Sequence, residues 1–330
     1  MKIAVFSAQP YDRRFLDEAF DAASPAVELV YFTEALGPQS TSLASGCAAV
    51  CVFVNDKLDA PVLEALTGLG VKAVLLRCAG FNNLDTASAA RLGLFVARVP
   101  AYSPEAVAEH TLALILTLNR HTHRASLRVR DGNFSLDGLL GSNLHGKTVG
   151  LVGLGKIGMA AARIFKGFGC AVIGHDPSVP AEFATIGRAG TMHELLAASD
   201  YVSLHCPLTA TTRHMIDAAA LARMKPGAML INTSRGALID TVAVIAALKS
   251  RALGSLAIDV YEQESELFFH DRSDDIIADD VFQRLMTFPN VLVTGHQGFF
   301  TIEAMREIAQ VTLHNFDCFM RKKPCENIVG

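Results

Sequence analysis

The sequence predicts an α/β protein built from two doubly wound parallel-sheet domains separated by a cleft. Three observations predict it. Short apolar runs alternate with amphipathic stretches over the first hundred residues, the rhythm of strands covered by helices. In mid-sequence an apolar run over 147–152 enters Gly153-Leu154-Gly155-Lys156-Ile157-Gly158 and leaves as a helical pattern over 157–168, a strand, a glycine turn and a helix in series. Beyond it, further apolar runs recur between helical segments, as a second sheet requires.

Taken in order, the apolar runs place strands over 3–6, 27–32, 48–54, 73–76 and 94–99. A single long helix is expected over 104–130, with Ser103 as cap, Pro104 in the first turn and Glu105 near the positive helix end. Six strands follow over 147–152, 171–174, 201–204, 228–232, 256–258 and 291–294, and a last helix over 301–321. A chain that leaves one domain by a long helix commonly returns by another. The expected division is therefore 1–100 plus 300–330 as one discontinuous domain and 101–299 as the other, opened by the linking helix.

A length of 330 residues suits two domains that each bury a full core. Half of the residues are apolar (51%) and 19% are charged, the balance of a compact globular chain. The net charge of −4, without a long Lys/Arg run, argues against nucleic acid or an anionic membrane as partner. No apolar run reaches transmembrane length, and residues 2–6 read as a first strand, so a cytoplasmic metabolic protein is expected. The seven cysteines, at 47, 51, 78, 170, 206, 318 and 325, show neither a disulfide framework nor a zinc spacing and are read as reduced, mostly buried thiols. Cys170 and Cys206 fall on apparent strands, where packing is their expected role.

The glycine turn carries chemistry of its own. A strand that turns on glycine into a helix aims backbone N–H groups and the positive helix end at a pyrophosphate. About 20 residues on, Asp176 ends the next strand, where a carboxylate accepts hydrogen bonds from a ribose diol and repels a 2′-phosphate. This is the Rossmann-like or flavodoxin-like arrangement, and it favours NAD over NADP. His175 departs from the pattern: a cation beside the ribose acid softens the discrimination against NADP.

In open α/β sheets ligands bind beyond the carboxyl ends of the strands, so the polar residues that follow each strand are the ones to weigh. Arg235 follows 228–232, Asp259 follows 256–258 with Glu264 after it, and His296 follows 291–294. Singly, each has a plainer reading: a surface ion pair, a helix cap, a packed ring. Together their types fit one reaction. Hydride transfer to a carbonyl needs a proton donor near neutral pH, which histidine is. A glutamate on its far nitrogen favours the imidazolium form and fixes the ring. An arginine fork clasps a carboxylate beside the carbonyl and so selects a 2-oxo acid.

The motifs LRCAGFNN at 76–83, PAYSPEAVAEH at 100–110, GLGKIG at 153–158, HCPLT at 205–209, NTSRG at 232–236, DVYE at 259–262 and GHQ at 295–297 resemble the D-isomer-specific 2-hydroxyacid dehydrogenase family, and within it the bacterial fermentative D-lactate dehydrogenases. The resemblance runs over nearly the whole chain. It implies Arg235 as the substrate-carboxylate arginine, Glu264 as the partner of the catalytic histidine and His296 as that acid/base. It implies Asp259 near the nicotinamide carboxamide, Gly153, Gly155, Lys156, Ile157 and Gly158 on the pyrophosphate loop, Asp176 at the ribose, and Cys206, Pro207, Thr233 and Ser234 lining the cofactor. In the first domain it implies backbone N–H groups of Ala79 and Gly80 on the substrate carboxylate, and Tyr102 and Phe299 as aromatic walls of a small apolar pocket. The activity implied is reduction of pyruvate to D-lactate by NADH, with the domains closing on the substrate. The alternatives are a family enzyme for a bulkier 2-oxo acid and, in a different class, an NADH-sensing corepressor-like protein.

The resemblance also implies a homo-oligomer with two-fold symmetry, dimer or tetramer, and the apolar helix after Ser103 is the expected interface. No catalytic metal is expected. His110, His121 and His123, without a persuasive metal spacing, are expected to be structural or surface residues.

Overall fold

A computed structural model describes residues 1–23 and 27–329. Two compact units divide the chain: Met1–Ser103 with Phe299–Gly330, and Pro104–Gly298.

The first unit runs β1 (Lys2–Val5), α1 (Pro10–Ala23), β2 (Glu28–Tyr31), β3 (Ala49–Val52), α2 (Ala60–Gly68), β4 (Ala73–Leu76), α3 (Thr86–Arg91) and β5 (Phe95–Arg98). All five strands are parallel, in the order β2-β1-β3-β4-β5. β3 and β4 are apolar at every position and buried at every position, because helices cover both faces of a parallel sheet. Asp59 and Asp85 start α2 and α3 by accepting hydrogen bonds from the Val62 and Ser88 amides.

The second unit begins with α4 (Pro104–Asn119) and α5 (Thr122–Arg130). It continues with β6 (Thr148–Val152), α6 (Lys156–Gly167), β7 (Ala171–His175), β8 (Arg188–Ala189), α7 (Met192–Ala198), β9 (Tyr201–Leu204) and α8 (Ala218–Leu221). It ends with β10 (Met229–Asn232), α9 (Thr241–Lys249), β11 (Ser255–Ile258), α10 (Asp280–Met286) and β12 (Val291–Val293). The parallel sheet has the order β12-β11-β10-β9-β6-β7-β8, so the winding reverses between β6 and β9. Its strands alternate faces: Leu230, Leu256 and Ile258 join one core, Met229, Ile231 and Ala257 the other. The chain then returns to the first unit as α11 (Ile302–Arg321), which packs on α1. After α11 the tail runs antiparallel to β5, with Ala97 opposite Ile328 and amides of Arg98 and Val329 donating to Asn327 and Val96.

Three expectations are corrected. The helix expected over 104–130 is two helices. Asn119 exchanges side-chain hydrogen bonds with Ser142, and His121 adopts φ 51°, which no continuous helix accommodates. Most apolar residues of α4, among them Leu114, Ile115 and Leu118, are buried in its own unit, with Leu112 and Leu116 half-buried and Ala113 exposed. Over residues 104–140 the large apolar side chains left exposed are Leu127 and Val129 on α5 and Phe134, Leu136 and Leu140 after it. The second sheet has seven strands, not six, because the two-residue β8 is too short and too exposed to leave an apolar run. All seven cysteines are buried, but Cys170 and Cys206 lie just outside the strands they were assigned to.

Among the described residues no helix is long and apolar enough to cross a membrane.

Candidate active site

In the second unit the glycine turn lies where the strand order reverses. Gly153 has φ 96°, and a side chain there would meet the His205 and Cys206 backbone at 2.6–2.7 Å, so it is fixed by the β9 loop. Gly158 is fixed by Gly153, whose carbonyl oxygen lies 2.0 Å from where a Cβ would stand. Gly155 is different: a side chain there would meet nothing within 4 Å. Its smoothness is required by no protein neighbour, which fits a pyrophosphate resting on the turn at the start of α6. Lys156 is exposed, Ile157 half-buried.

Asp176, at the end of β7, accepts from the Leu154 amide at 2.7 Å and from the Ser178 amide at 2.8 Å. It therefore ties the glycine turn to the neighbouring strand while each oxygen keeps a second lone pair. His175, beside it, has its Nδ1 3.1 Å from the Gly190 carbonyl. On the other side of the turn, burial pushes the Cys206 thiol up to about 11 and the His205 imidazole down to about 4. Both are neutral walls near pH 7. The Ser234 hydroxyl donates to the Cys206 carbonyl, Thr233 meets Thr111 at 2.9 Å, and the Pro207 carbonyl accepts from Thr212.

The remaining polar residues rise from three adjacent strand ends. Asn232, Ile258 and Val293 stand level across β10, β11 and β12, so Arg235, Asp259 and His296 leave from one edge of the sheet. Arg235 is half-buried. Its Nη1 donates to the Ser234 carbonyl, and among the described residues no carboxylate pairs with it. Gly236 lets this turn lie on the Tyr261–Glu262 backbone, since a Cβ would come within 2.0 Å of Tyr261.

His296 Nδ1 is 2.8 Å from Glu264 Oε1, with the two side chains 16% and 17% exposed. The other Glu264 oxygen accepts from the Tyr261 amide, so the carboxylate is itself held. His296 has φ 55°, a conformation that costs an ordinary side chain energy and so needs outside support. That support is Asp259. Its backbone oxygen accepts from the His296 amide, and its buried carboxylate accepts from Thr294, from the Gln297 amide and from the Gly298 amide. Burial pushes this carboxyl up, but hydrogen bonds from His110, Thr294 and Gln297 outweigh burial and hold it below the usual carboxylate range.

Residues 112–298 match the D-isomer specific 2-hydroxyacid dehydrogenase NAD binding domain, over half of the chain. The chain belongs to the D-isomer specific 2-hydroxyacid dehydrogenases. It is 58% identical over 328 residues to 2-hydroxyacid dehydrogenase A of Aspergillus oryzae, covering 99% of this chain and 94% of that one. It is 50% identical over 328 residues to D-lactate dehydrogenase of Escherichia coli, covering 99% of each. The solved apo-structure of D-lactate dehydrogenase from Escherichia coli matches it with a TM-score of 0.91 at 47% identity, covering 100% of both chains.

The second unit of this dehydrogenase thus contains its NAD-binding domain. In the first unit, Ala79 and Gly80 follow β4, and no described residue accepts the amide N–H of either. Arg98 donates to the Ala79 carbonyl at 2.6 Å and fixes that loop. Tyr102 and Phe299 meet edge to face at 6.1 Å, and the Phe53 ring lies 5.9 Å from that of Phe299. His110 is the residue that sequence reasoning underrated in this dehydrogenase. From α4, its Nε2 lies 3.2 Å from the Thr294 hydroxyl and 3.3 Å from Asp259 Oδ1. The only signal available was its place in the PAYSPEAVAEH motif.

Proposed function

We propose that this dehydrogenase reduces pyruvate to D-lactate with NADH, working in the cytoplasm as a homo-oligomer. The observation that carries the reaction is the His296–Glu264 pair on the strand edge that also bears Arg235. The names of relatives at 50% identity over the full chain support lactate as product. Gly153, Gly155, Lys156, Ile157 and Gly158 would hold the pyrophosphate and Asp176 the ribose; Cys206, Pro207, Thr233 and Ser234 would line the cofactor, with Asp259 toward the nicotinamide end. NADH, when bound, supplies the hydride. Arg235 clasps the substrate carboxylate and, with the Ala79 and Gly80 amides, orients the 2-oxo group. Glu264 fixes the ring of His296 through Nδ1, so that Nε2 gives a proton to the oxygen as negative charge develops there. Tyr102 and Phe299, packed edge to face, would offer an apolar wall to a methyl group.

The test is NADH oxidation by the purified protein with a panel of 2-oxo acids, followed by chiral analysis of the product. Preference for pyruvate with D-lactate formed is expected. Preference for a bulkier acid would overturn the substrate, and no oxidation with any of them would overturn the reaction.

Arg235→Lys is expected to raise KM for pyruvate by roughly 10- to 100-fold, the loss of about 1.5–3 kcal/mol of bidentate charged hydrogen bonding. Steady-state kinetics with unchanged KM would remove Arg235 from that role. The exposed Leu127, Val129, Phe134, Leu136 and Leu140 favour self-association through α5 and the segment after it. Light scattering should show an oligomer, and Phe134→Glu with Leu136→Glu should dissociate it; a monomeric parent protein would contradict the assignment.

A further inference from the structure

The first unit holds a cluster of metal-binding side chains remote in sequence from every residue assigned above. His314 and Cys318 stand one turn apart on the same face of α11. The tail that pairs with β5 brings Cys325 and Glu326 back against that face. The imidazole nitrogen and the two thiol sulfurs all lie within 4.8 Å of one another. His314 Nε2 is 3.6 Å from Cys318 Sγ and 3.1 Å from Glu326 Oε1. We propose that His314, Cys318 and Cys325 form a binding site for a thiophilic divalent cation of the zinc class, which fastens the tail to α11.

The geometry favours a tetrahedral ion. With bonds of about 2.3 Å to sulfur and about 2.05 Å to nitrogen, a tetrahedral centre holds N and S roughly 3.6 Å apart. That is the separation between His314 and Cys318. Two sulfurs and one imidazole are ligands of the types zinc takes, and a water from the open side completes the four. Access is also right. Cys318 and Cys325 are buried, whereas the side chains of His314 and Glu326 are 49% and 71% exposed, so an ion enters from solvent and meets sulfur behind.

The plainer reading makes the thiols small apolar groups, since they pack with Ala97 and Phe95. It leaves unexplained why an imidazole nitrogen stands with both sulfurs within 4.8 Å. Ionising Cys325 would also orphan nothing. Its thiol donates to Asn315 Oδ1 at 3.5 Å, and that oxygen already accepts from Asn327 at 2.8 Å. Binding replaces two S–H bonds by two metal–sulfur bonds and releases two protons.

The experiment is titration of the full chain, treated with a chelator and kept in a phosphine reductant, with Co2+ as the probe. One Co2+ per chain is expected, with a thiolate-to-cobalt charge-transfer band and the strong visible bands of a tetrahedral centre, both erased by Zn2+. Cys325→Ser should weaken the charge-transfer band and Cys318→Ser with Cys325→Ser should abolish it. His314→Gln, a change at an exposed side chain that leaves folding intact, should weaken Co2+ binding by at least about tenfold. The metal-free thermal unfolding midpoint of each variant, compared with the parent's, serves as the folding control. The proposal is overturned if the parent protein gives no charge-transfer band, or if the band survives the paired cysteine substitution, or if His314→Gln binds Co2+ as tightly as the parent.

Discussion

His296→Gln is expected to lower kcat by about 10²- to 10⁴-fold and to leave the affinity for NADH unchanged. Glutamine keeps a polar group of similar reach but has no proton to give near neutral pH, so the substitution isolates proton transfer from shape. The neighbouring residues sharpen the expectation. Glu264 engages Nδ1 of the ring, and Asp259 holds the backbone in its φ 55° conformation, so the site is organised around an imidazole at one orientation. Rapid-mixing measurement of hydride transfer, beside fluorescence titration of NADH, separates the chemical step from binding. An unaltered rate of hydride transfer would remove His296 from the mechanism.

Asp259→Ala is expected to lower turnover by a comparable factor and also to destabilise the protein by roughly 2–5 kcal/mol, because three donors lose their acceptor, at about 1–3 kcal/mol for the buried Gly298 amide and less for the two more exposed ones. The Gln297 and Gly298 amides and the Thr294 hydroxyl all donate to this one carboxylate. Asp259→Asn should be nearly as damaging. Two amides point at two different carboxylate oxygens, and an asparagine turns an N–H toward one of them. Thermal unfolding with and without NADH, together with kcat, checks both effects. An asparagine variant that kept the parent's melting temperature and rate would show that the carboxylate does not organise the turn.

Much of this architecture was legible in the sequence for identifiable reasons. Strands such as β3 and β4 are buried on both faces, so they appear as uninterrupted apolar runs that no surface segment imitates. The glycine turn is legible because its residues answer local demands: Gly153 a positive φ, Gly158 the approach of a carbonyl. Arg235, Glu264 and His296 could be named because each stands a fixed few residues beyond a strand end. What stayed hidden depends on partners far away in the chain. The break after Asn119 is set by Ser142, and His110 gains its place from Thr294 and Asp259. The work of Asp259 is done on backbone amides, which leave no mark in a sequence pattern. His314, Cys318 and Cys325 lacked a metal spacing for the same kind of reason, since only the returning tail brings them together.

That returning tail has a consequence for the behaviour of many copies at once. β5 lies at one end of its sheet, and a bare strand there would offer a row of amide and carbonyl groups to any neighbouring chain. The Arg98 amide and the Val96 carbonyl are instead occupied by Asn327 and Val329 of the same polypeptide, running in the opposite direction. The last residues thus act as a guard against edge-to-edge aggregation, protecting solubility at a position far from any chemistry.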